Sequence, residues 1–381
     1  MVKRGEDRGT DRDTGRGIDN RSGDTDRGTG TDNRGGDTDR GTGTDDRGGD
    51  TDRGTDDRGR DTDRGTDRES DTGRVREVKS VNLQPFKELY PFHSHFLRLG
   101  EYNYHYLDEG AGEAVVMLHG NPTWSFYYRH MVAGLADICR TIVPDHMGCG
   151  LSDKPQCYPY TLKQHIDNLE ALVESLELEN ITLAMHDWGG AIGMGYAIRH
   201  PRKIRRLIIF NTAAFLSSRM PWRIGLCRIP VFGPLAVRGL NAFAGLAIYM
   251  ACQHHERMTA GVRAGYLAPY RSYRNRIAVL RFIQDIPRRP TDQSYAIVEA
   301  MQQRLPEFRD RPMLILWGGR DFCFNRSFLE TWQGFFPRAS VHLFEDAGHY
   351  VVEDAHERII PLVREFVQDN PLPDYGGREK Q

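Results

Sequence analysis

A short apolar run, Ile181-Thr182-Leu183-Ala184-Met185, leads into His186-Asp187-Trp188-Gly189-Gly190, and small residues at helical spacing follow, from Ala191 to Ala197. Strand, tight turn and helix are the natural reading of this stretch. It constrains the chain more than any other, because such a turn thrusts its central residue out at the top of a sheet. That central residue is Asp187. Taken alone, Asp187 reads equally well as a helix N-cap. Met185 stands where turns of this kind prefer a small residue.

The flanking sequence supplies the context. Phe96-Leu97-Arg98-Leu99-Gly100 and Tyr102 to Leu107 read as a β-hairpin. Ala114-Val115-Val116-Met117-Leu118 is apolar throughout, hence a buried strand, and it runs into His119-Gly120-Asn121-Pro122-Thr123-Trp124. Thr141 to Pro144 is another strand, followed by the Gly-punctuated Asp145-His146-Met147-Gly148-Cys149-Gly150-Leu151-Ser152. A helical pattern covers Thr161 to Leu176, and Arg206 to Phe210 is again a strand. Strands alternating with helices predict an α/β fold with a mostly parallel central sheet flanked by helices.

After Phe215 the alternation stops. Helical periodicity and repeated Pro extend to about residue 305, and Leu235 to Cys252 is apolar on most sides. We expect an inserted helical cap whose apolar face roofs the site. A membrane-surface helix would need a basic face, for which charged residues are too few. Strands resume at Met313 to Trp317 and Ser340 to Phe344, and a closing helix is expected from about Ala355 to Asp369.

The first 74 residues are unlike the rest. Their only aliphatic or aromatic side chains are Met1, Val2 and Ile18, and Gly-Asp-Thr-Asp-Arg-Gly recurs at Gly23, Gly36 and Gly49. Without apolar surface to bury, such a segment does not offset its ordering entropy, so a disordered arm is expected. A calcium-binding β-roll would need an apolar position in each repeat. The repeat also has the form of a translated tandem DNA repeat, which suggests a start at Val75 or Val78; N-terminal mass spectrometry of the native protein tests this. The expected organisation is arm 1–74, core 75–215, cap 216–305 and core 306–381.

A formal net charge of −2 over 381 residues gives no reason to expect nucleic acid as a partner, and no apolar stretch reaches the ~18 residues of a membrane span. The N-terminus lacks the apolar core of a signal peptide. Six scattered cysteines, with no C-x-x-C pair and no ligand spacing, read as free thiols of a cytoplasmic protein. A homo-oligomer is left open.

Both late strands end in chemistry. Gly318-Gly319-Arg320-Asp321 follows one, and Glu345-Asp346-Ala347-Gly348-His349 the other. Alone, Asp321 is an ordinary turn residue and His349 an ordinary loop residue. Together they complete the order nucleophile, acid, histidine. Glu345 and Asp346 lie too close to His349 in sequence to face it. An Asp nucleophile is ionised at neutral pH, and on attacking an alkyl carbon it forms an ester that water can cleave, where Ser would form an inert ether. The turn therefore predicts substitution at an sp³ carbon. His349 would activate water and Asp321 would orient it, with the backbone N–H groups of Asn121 and Trp188 as the oxyanion hole. The side chains of Trp188 and Asn121 are neutral donors suited to a departing halide; the plainer readings are core packing and a turn before Pro122. No metal or organic cofactor is required.

At His119-Gly120-Asn121-Pro122, Asp145-x-x-Gly148-x-Gly150-x-Ser152, His186-Asp187-Trp188-Gly189-Gly190, Gly319-Arg320-Asp321 and Gly348-His349 the chain resembles haloalkane dehalogenases of the α/β-hydrolase superfamily. The resemblance spans about Phe86 to Phe366 and is nearest the subfamily with an Asp-His-Asp triad and an Asn-Trp halide pair. It implies the α/β-hydrolase fold and hydrolysis of a haloalkane by water, with Asp187, His349 and Asp321 catalytic and Asn121 and Trp188 holding halide. Epoxide hydrolases share the Asp, His and acid, but need cap tyrosine hydroxyls, for which Tyr249, Tyr266, Tyr270, Tyr273 and Tyr295 are candidates. Dehalogenase-like luciferases match an acid variant with Glu. A non-catalytic binding protein on this fold is the remaining alternative.

Overall fold

Consecutive apolar residues leave a strand no polar side to show to water, so such strands must be covered on both faces. The computed structural model, which describes residues 81–372, meets this with an eight-stranded sheet in the order β1-β2-β4-β3-β5-β6-β7-β8. The strands are β1 (His95–Leu99), β2 (Tyr102–Glu109), β3 (Ala114–Leu118), β4 (Arg140–Pro144), β5 (Ile181–Asp187), β6 (Ile204–Thr212), β7 (Met313–Gly318) and β8 (Ser340–Phe344). β1 and β2 run antiparallel, as does β2 with β4; every pairing from β4 across to β8 is parallel. The expected α/β-hydrolase architecture is thus present. The repeat arm and the proposed starts at Val75 and Val78 lie outside the described residues.

Side chains of period two divide the core between the faces. Val116, Leu118, Leu183, Met185, Leu207, Ile209 and Ile315 pack on one side, with helices Leu162–Ser175 and Trp188–Arg199. Val115, Met117, Ala184, Ile208, Phe210, Leu314 and Leu316 pack on the other, with helices Arg129–Leu135 and Val351–Asp369. The Leu162 helix begins where a hydroxyl serves as N-cap: Thr161 accepts from the Gln164 N–H at 3.2 Å.

Between β6 and β7 the chain forms only helices and loops, including Trp222–Leu226, Ala242–Met250, Ala260–Leu267, Ile277–Gln284 and Tyr295–Arg304. One expected boundary shifts, and the apolar stretch from Leu235 to Cys252 forms two helical pieces. Asn241, at φ 55°, separates a π-helical turn at Pro234–Gly239 from helix Ala242–Met250, and Leu235 and Leu240 face outward. The closing helix begins at Val351 rather than Ala355, and Ala355 (φ −142°) marks a kink within it. All six cysteines are free. Among the described residues no helix is long and apolar enough to cross a membrane.

A buried ion pair ties cap to core. Arg129 donates to both carboxylate oxygens of Glu353 at 2.7 and 2.6 Å, and the hydroxyl of Tyr266, on helix Ala260–Leu267, donates to the same carboxylate at 2.8 Å. Burial would raise the Glu353 carboxyl, but Arg129 and Tyr266 hold it below its ordinary value. Removing one partner strands the other charge in a dry site. Glu353→Ala is therefore expected to destabilise the fold by about 3–5 kcal/mol, read from the urea midpoint. Arg129→Ala should cost a similar amount.

Candidate active site

The site is assembled at the carboxyl ends of β3, β5, β7 and β8. Asp187, last residue of β5, has φ 51° and ψ −122°, a conformation costly for a residue with a Cβ. Its neighbours allow no other path. A Cβ on Gly189 would stand 2.1 Å from the Leu118 carbonyl oxygen, and one on Gly120 would stand 2.2 Å from the Asp187 side chain. Close approach by the β3 loop and by the helix start is what drives Asp187 outward. Thr212 holds the turn from the other side, its hydroxyl donating to the Asp187 carbonyl.

The β3 loop delivers the first donor. The backbone N–H of Asn121 reaches Asp187 Oδ1 at 2.7 Å, and the Trp188 N–H also bonds the carboxylate. His349 follows β8, with Nε2 3.7 Å from Asp187 Oδ2. Its Nδ1 lies 2.8 Å from Asp321 Oδ2, and the Cys323 N–H donates to the other Asp321 oxygen at 2.6 Å. The structure thus brings Asp187, His349 and Asp321 into one chain of contacts, with both backbone donors on Asp187. Glu345 pairs with Arg326 and Asp346 with Arg358, both away from His349.

Burial raises the Asp187 carboxyl above its ordinary 3.8, although His349 and the two N–H donors act against it. Burial would lower the His349 imidazole, but Asp321 and Asp187 beside it raise it above 6.5. A carboxylate that is poorly hydrated is a stronger nucleophile, and an imidazole backed by carboxylates is a stronger base.

Asp187 opens into a cavity of about 260 Å³. Its walls are mainly apolar, with Phe215, Leu216, Ile224, Leu246, Ile283 and Phe324 among them. Trp188 lines it, and its indole N–H has no hydrogen-bond partner among the described residues. Asn121 also lines it, but its amide is not wholly free: Nδ2 donates to the Val279 carbonyl at 3.1 Å, leaving one N–H for the cavity. Tyr249, Tyr266, Tyr270, Tyr273 and Tyr295 are all absent from the lining. The Tyr270 hydroxyl is held by the Thr123 carbonyl, Tyr266 by Glu353, and Tyr249 and Tyr273 face outward. The cap hydroxyls that epoxide opening requires are therefore not presented to Asp187. Among the described residues no group of three or more His, Cys, Asp or Glu side chains is placed to hold a metal ion.

Sequence reasoning missed the supports. Asn211, near the end of β6, donates to the Gly318 carbonyl at 3.1 Å and accepts from the Gly318 N–H at 2.8 Å, fixing the strand end that carries Asp321. A buried amide directly after an apolar strand was the available signal. Asp145 is likewise structural: it accepts from the Ser125 and Leu151 N–H groups and lies 2.8 Å from His105, and chiefly His105, with His119 and the Leu151 N–H, holds its carboxyl down at about 2 despite burial. Asn211→Ala leaves the Gly318 N–H unpaired and its carbonyl with only the long 3.4 Å bond from the Asp321 N–H, so a loss of about 1–3 kcal/mol is expected by chemical denaturation.

The alpha/beta hydrolase fold family matches residues 113–355. The chain is 49% identical over 287 residues to a cis-3-alkyl-4-alkyloxetan-2-one decarboxylase of Shewanella oneidensis, covering 74% of this chain and 90% of that protein. It is 27% identical over 289 residues to haloalkane dehalogenase 2 of Mycobacterium bovis, covering 75% and 99%. The crystal structure of haloalkane dehalogenase DatA from Agrobacterium tumefaciens superposes with a TM-score of 0.66 at 25% identity, covering 73% of this chain and 97% of that one.

Proposed function

Because the chain belongs to the alpha/beta hydrolase fold family, with relatives among both decarboxylases and dehalogenases, we propose that Asp187 is a nucleophile toward sp³ carbon and that the substrate is a cis-3,4-dialkyl β-lactone, an oxetan-2-one. The observation that carries this reading is the Asp187 carboxylate. Oδ1 is pinned by the Asn121 N–H, while Oδ2 lies nearer His349 and faces an apolar cavity. The 49% identity to an oxetanone decarboxylase supports the choice of substrate.

The chemistry follows from the geometry of a four-membered ring. Oδ2 attacks ring carbon C4 from the side opposite the ring oxygen. The C4–O bond breaks with inversion and frees a carboxylate on C3. The new ester oxygen is then antiperiplanar to the bond from C3 to that carboxylate. As CO2 departs, the electrons of that bond form the C=C bond, and Asp187 is expelled as a carboxylate. Inversion followed by anti elimination converts a cis lactone into a cis alkene. No water is consumed, and Asp187 is regenerated. The N–H groups of Asn121 and Trp188 stabilise it as the leaving group, and an apolar cavity suits the two alkyl arms.

The second reading, haloalkane dehalogenation, shares the first step. The indole N–H of Trp188 and the remaining N–H of Asn121 favour it, since they can receive a halide. The readings part at the ester. An alkyl ester without a neighbouring carboxylate cannot lose CO2, so water activated by His349 must cleave it, with Asp321 orienting the imidazole.

The protein is to be assayed for alkene and CO2 from a cis-3,4-dialkyl oxetanone, and for halide from bromoalkanes. Asp187→Ala should lower either activity by about a thousandfold or more. His349→Gln should retain CO2 release but trap any bromoalkane as a mass adduct on Asp187. Folded protein that yields neither alkene nor halide would sink both readings.

The pH profiles should differ in the same sense. Ester hydrolysis needs neutral His349, so halide-linked turnover falls as pH drops through a value above 6.5. Elimination needs only ionised Asp187, so its acid limb follows a carboxyl raised above 3.8 and lies at lower pH. Identical profiles would show that one group controls both.

A further inference from the structure

Part of the cap is turned inside out relative to an ordinary surface. Trp222 is 68% exposed, Val231 81% and Leu240 73%, and Phe232, Leu235 and Leu246 are exposed beside them in the chain. Val231 is a β-branched residue held at φ 70°, a conformation such residues rarely adopt. Large exposed apolar surfaces of this kind mark interaction sites.

Leu235 to Cys252 alone holds only Arg238, too few charges for a membrane-surface helix, but the wider segment adds more and its charge has one sign. From Trp188 to His255 the sequence contains no Asp or Glu, whereas the cap part of that stretch carries Arg219, Arg223, Arg228 and Arg238. Arg219 and Arg223 are exposed. The neighbouring loop adds exposed Arg288 and Arg289, and its Asp292 is occupied by their backbone N–H groups. The surface is also continuous with the cavity, because Arg219, Arg223 and Leu246 line it as well.

We propose that this cap face docks on an anionic membrane surface, with Trp222, Phe232, Leu235 and Leu240 entering the headgroup boundary and the exposed Arg219, Arg223, Arg288 and Arg289 pairing with lipid phosphates, while Arg228 and Arg238 are bonded within the protein. Apolar side chains flanked by arginine are what such a boundary binds, and anionic lipid adds an attraction for each cation. A second copy of the chain is a poorer occupant. A two-fold interface would set this face against itself, arginine near arginine, with no acid from Trp188 to His255 to pair with them. The first 74 residues offer only Met1, Val2 and Ile18 to cover an apolar face. Docking would place the cavity mouth against the bilayer, where a dialkyl substrate dissolves. That consequence rests on the proposed function; the docking does not.

The test is co-flotation of the full 381-residue chain with phosphatidylcholine vesicles, with and without phosphatidylglycerol, and needs no turnover. The comparison variant carries Phe232→Ser, Leu235→Ser and Leu240→Ser, three exposed residues outside the cavity lining, with its thermal melt checked against the parent. The parent is expected to float with the anionic vesicles, less so at high salt, and the variant to lose at least about tenfold of the bound fraction. Three results would overturn the proposal: no flotation of the parent, flotation unchanged in the variant, or equal binding to neutral vesicles. A dimer that the variant abolishes, without vesicle binding, would instead make the face a self-interface.

Discussion

Asp187 occupies a backbone conformation that its side chain disfavours, and much of the catalytic end of the sheet is shaped by that fact. A positive φ at a residue bearing a Cβ costs about 1–3 kcal/mol, so surrounding contacts must over-determine it. They come from three directions. The Leu118 carbonyl crowds the helix start, Gly120 lies against the side chain, and the Thr212 hydroxyl takes the carbonyl. The result is a carboxylate fixed before any substrate arrives, with the Asn121 N–H already on one oxygen. Nothing need reorganise when charge returns to that oxygen.

The same rigidity extends to His349 and Asp321 through bonds remote from the reacting atoms. Asn211 clamps Gly318, and the Cys323 N–H holds Asp321. The His186 ring lies 2.8 Å from the His349 carbonyl oxygen through Nε2 and stacks on Tyr127. Asp187, His349, Asp321 and their supports thus form one packed unit at the strand ends; burial raises the Asp187 carboxyl, whereas the carboxylates beside His349 raise its imidazole against burial.

The buried strands were legible because their side chains are apolar without interruption, and the site residues because each follows such a strand. Asn211 was not, since a polar residue at a strand end has no periodic signature and its partner is 107 positions away in sequence. The start of the closing helix was misplaced by four residues, onto Ala355, which is a kink within the helix and not its beginning. The cap resisted reading for a different reason. Apolar periodicity reports that a face is suited to leave water but not what it meets, so Leu235 and Leu246 look alike in sequence although only one lines the cavity. The cap tyrosines likewise counted as candidates, but the Tyr266 and Tyr270 hydroxyls are bound elsewhere and none of the five lines the cavity. Choice of leaving group was never in the motifs, because halide and lactone carboxylate ask the same first step of the same aspartate.

The bond from Tyr266 to Glu353 has a mechanical consequence. It fastens helix Ala260–Leu267 to the closing helix through a carboxylate already neutralised by Arg129. The cap therefore cannot swing as a free lid. The fastening is one-sided: among the described residues it is helix Ala260–Leu267, and not the stretch 217–250 with its outward-facing apolar side chains, that bonds Glu353. On the proposed function, a slender, unbranched chain would reach Asp187 by threading past a wall fastened at Glu353, and a bulky rigid one would be held out.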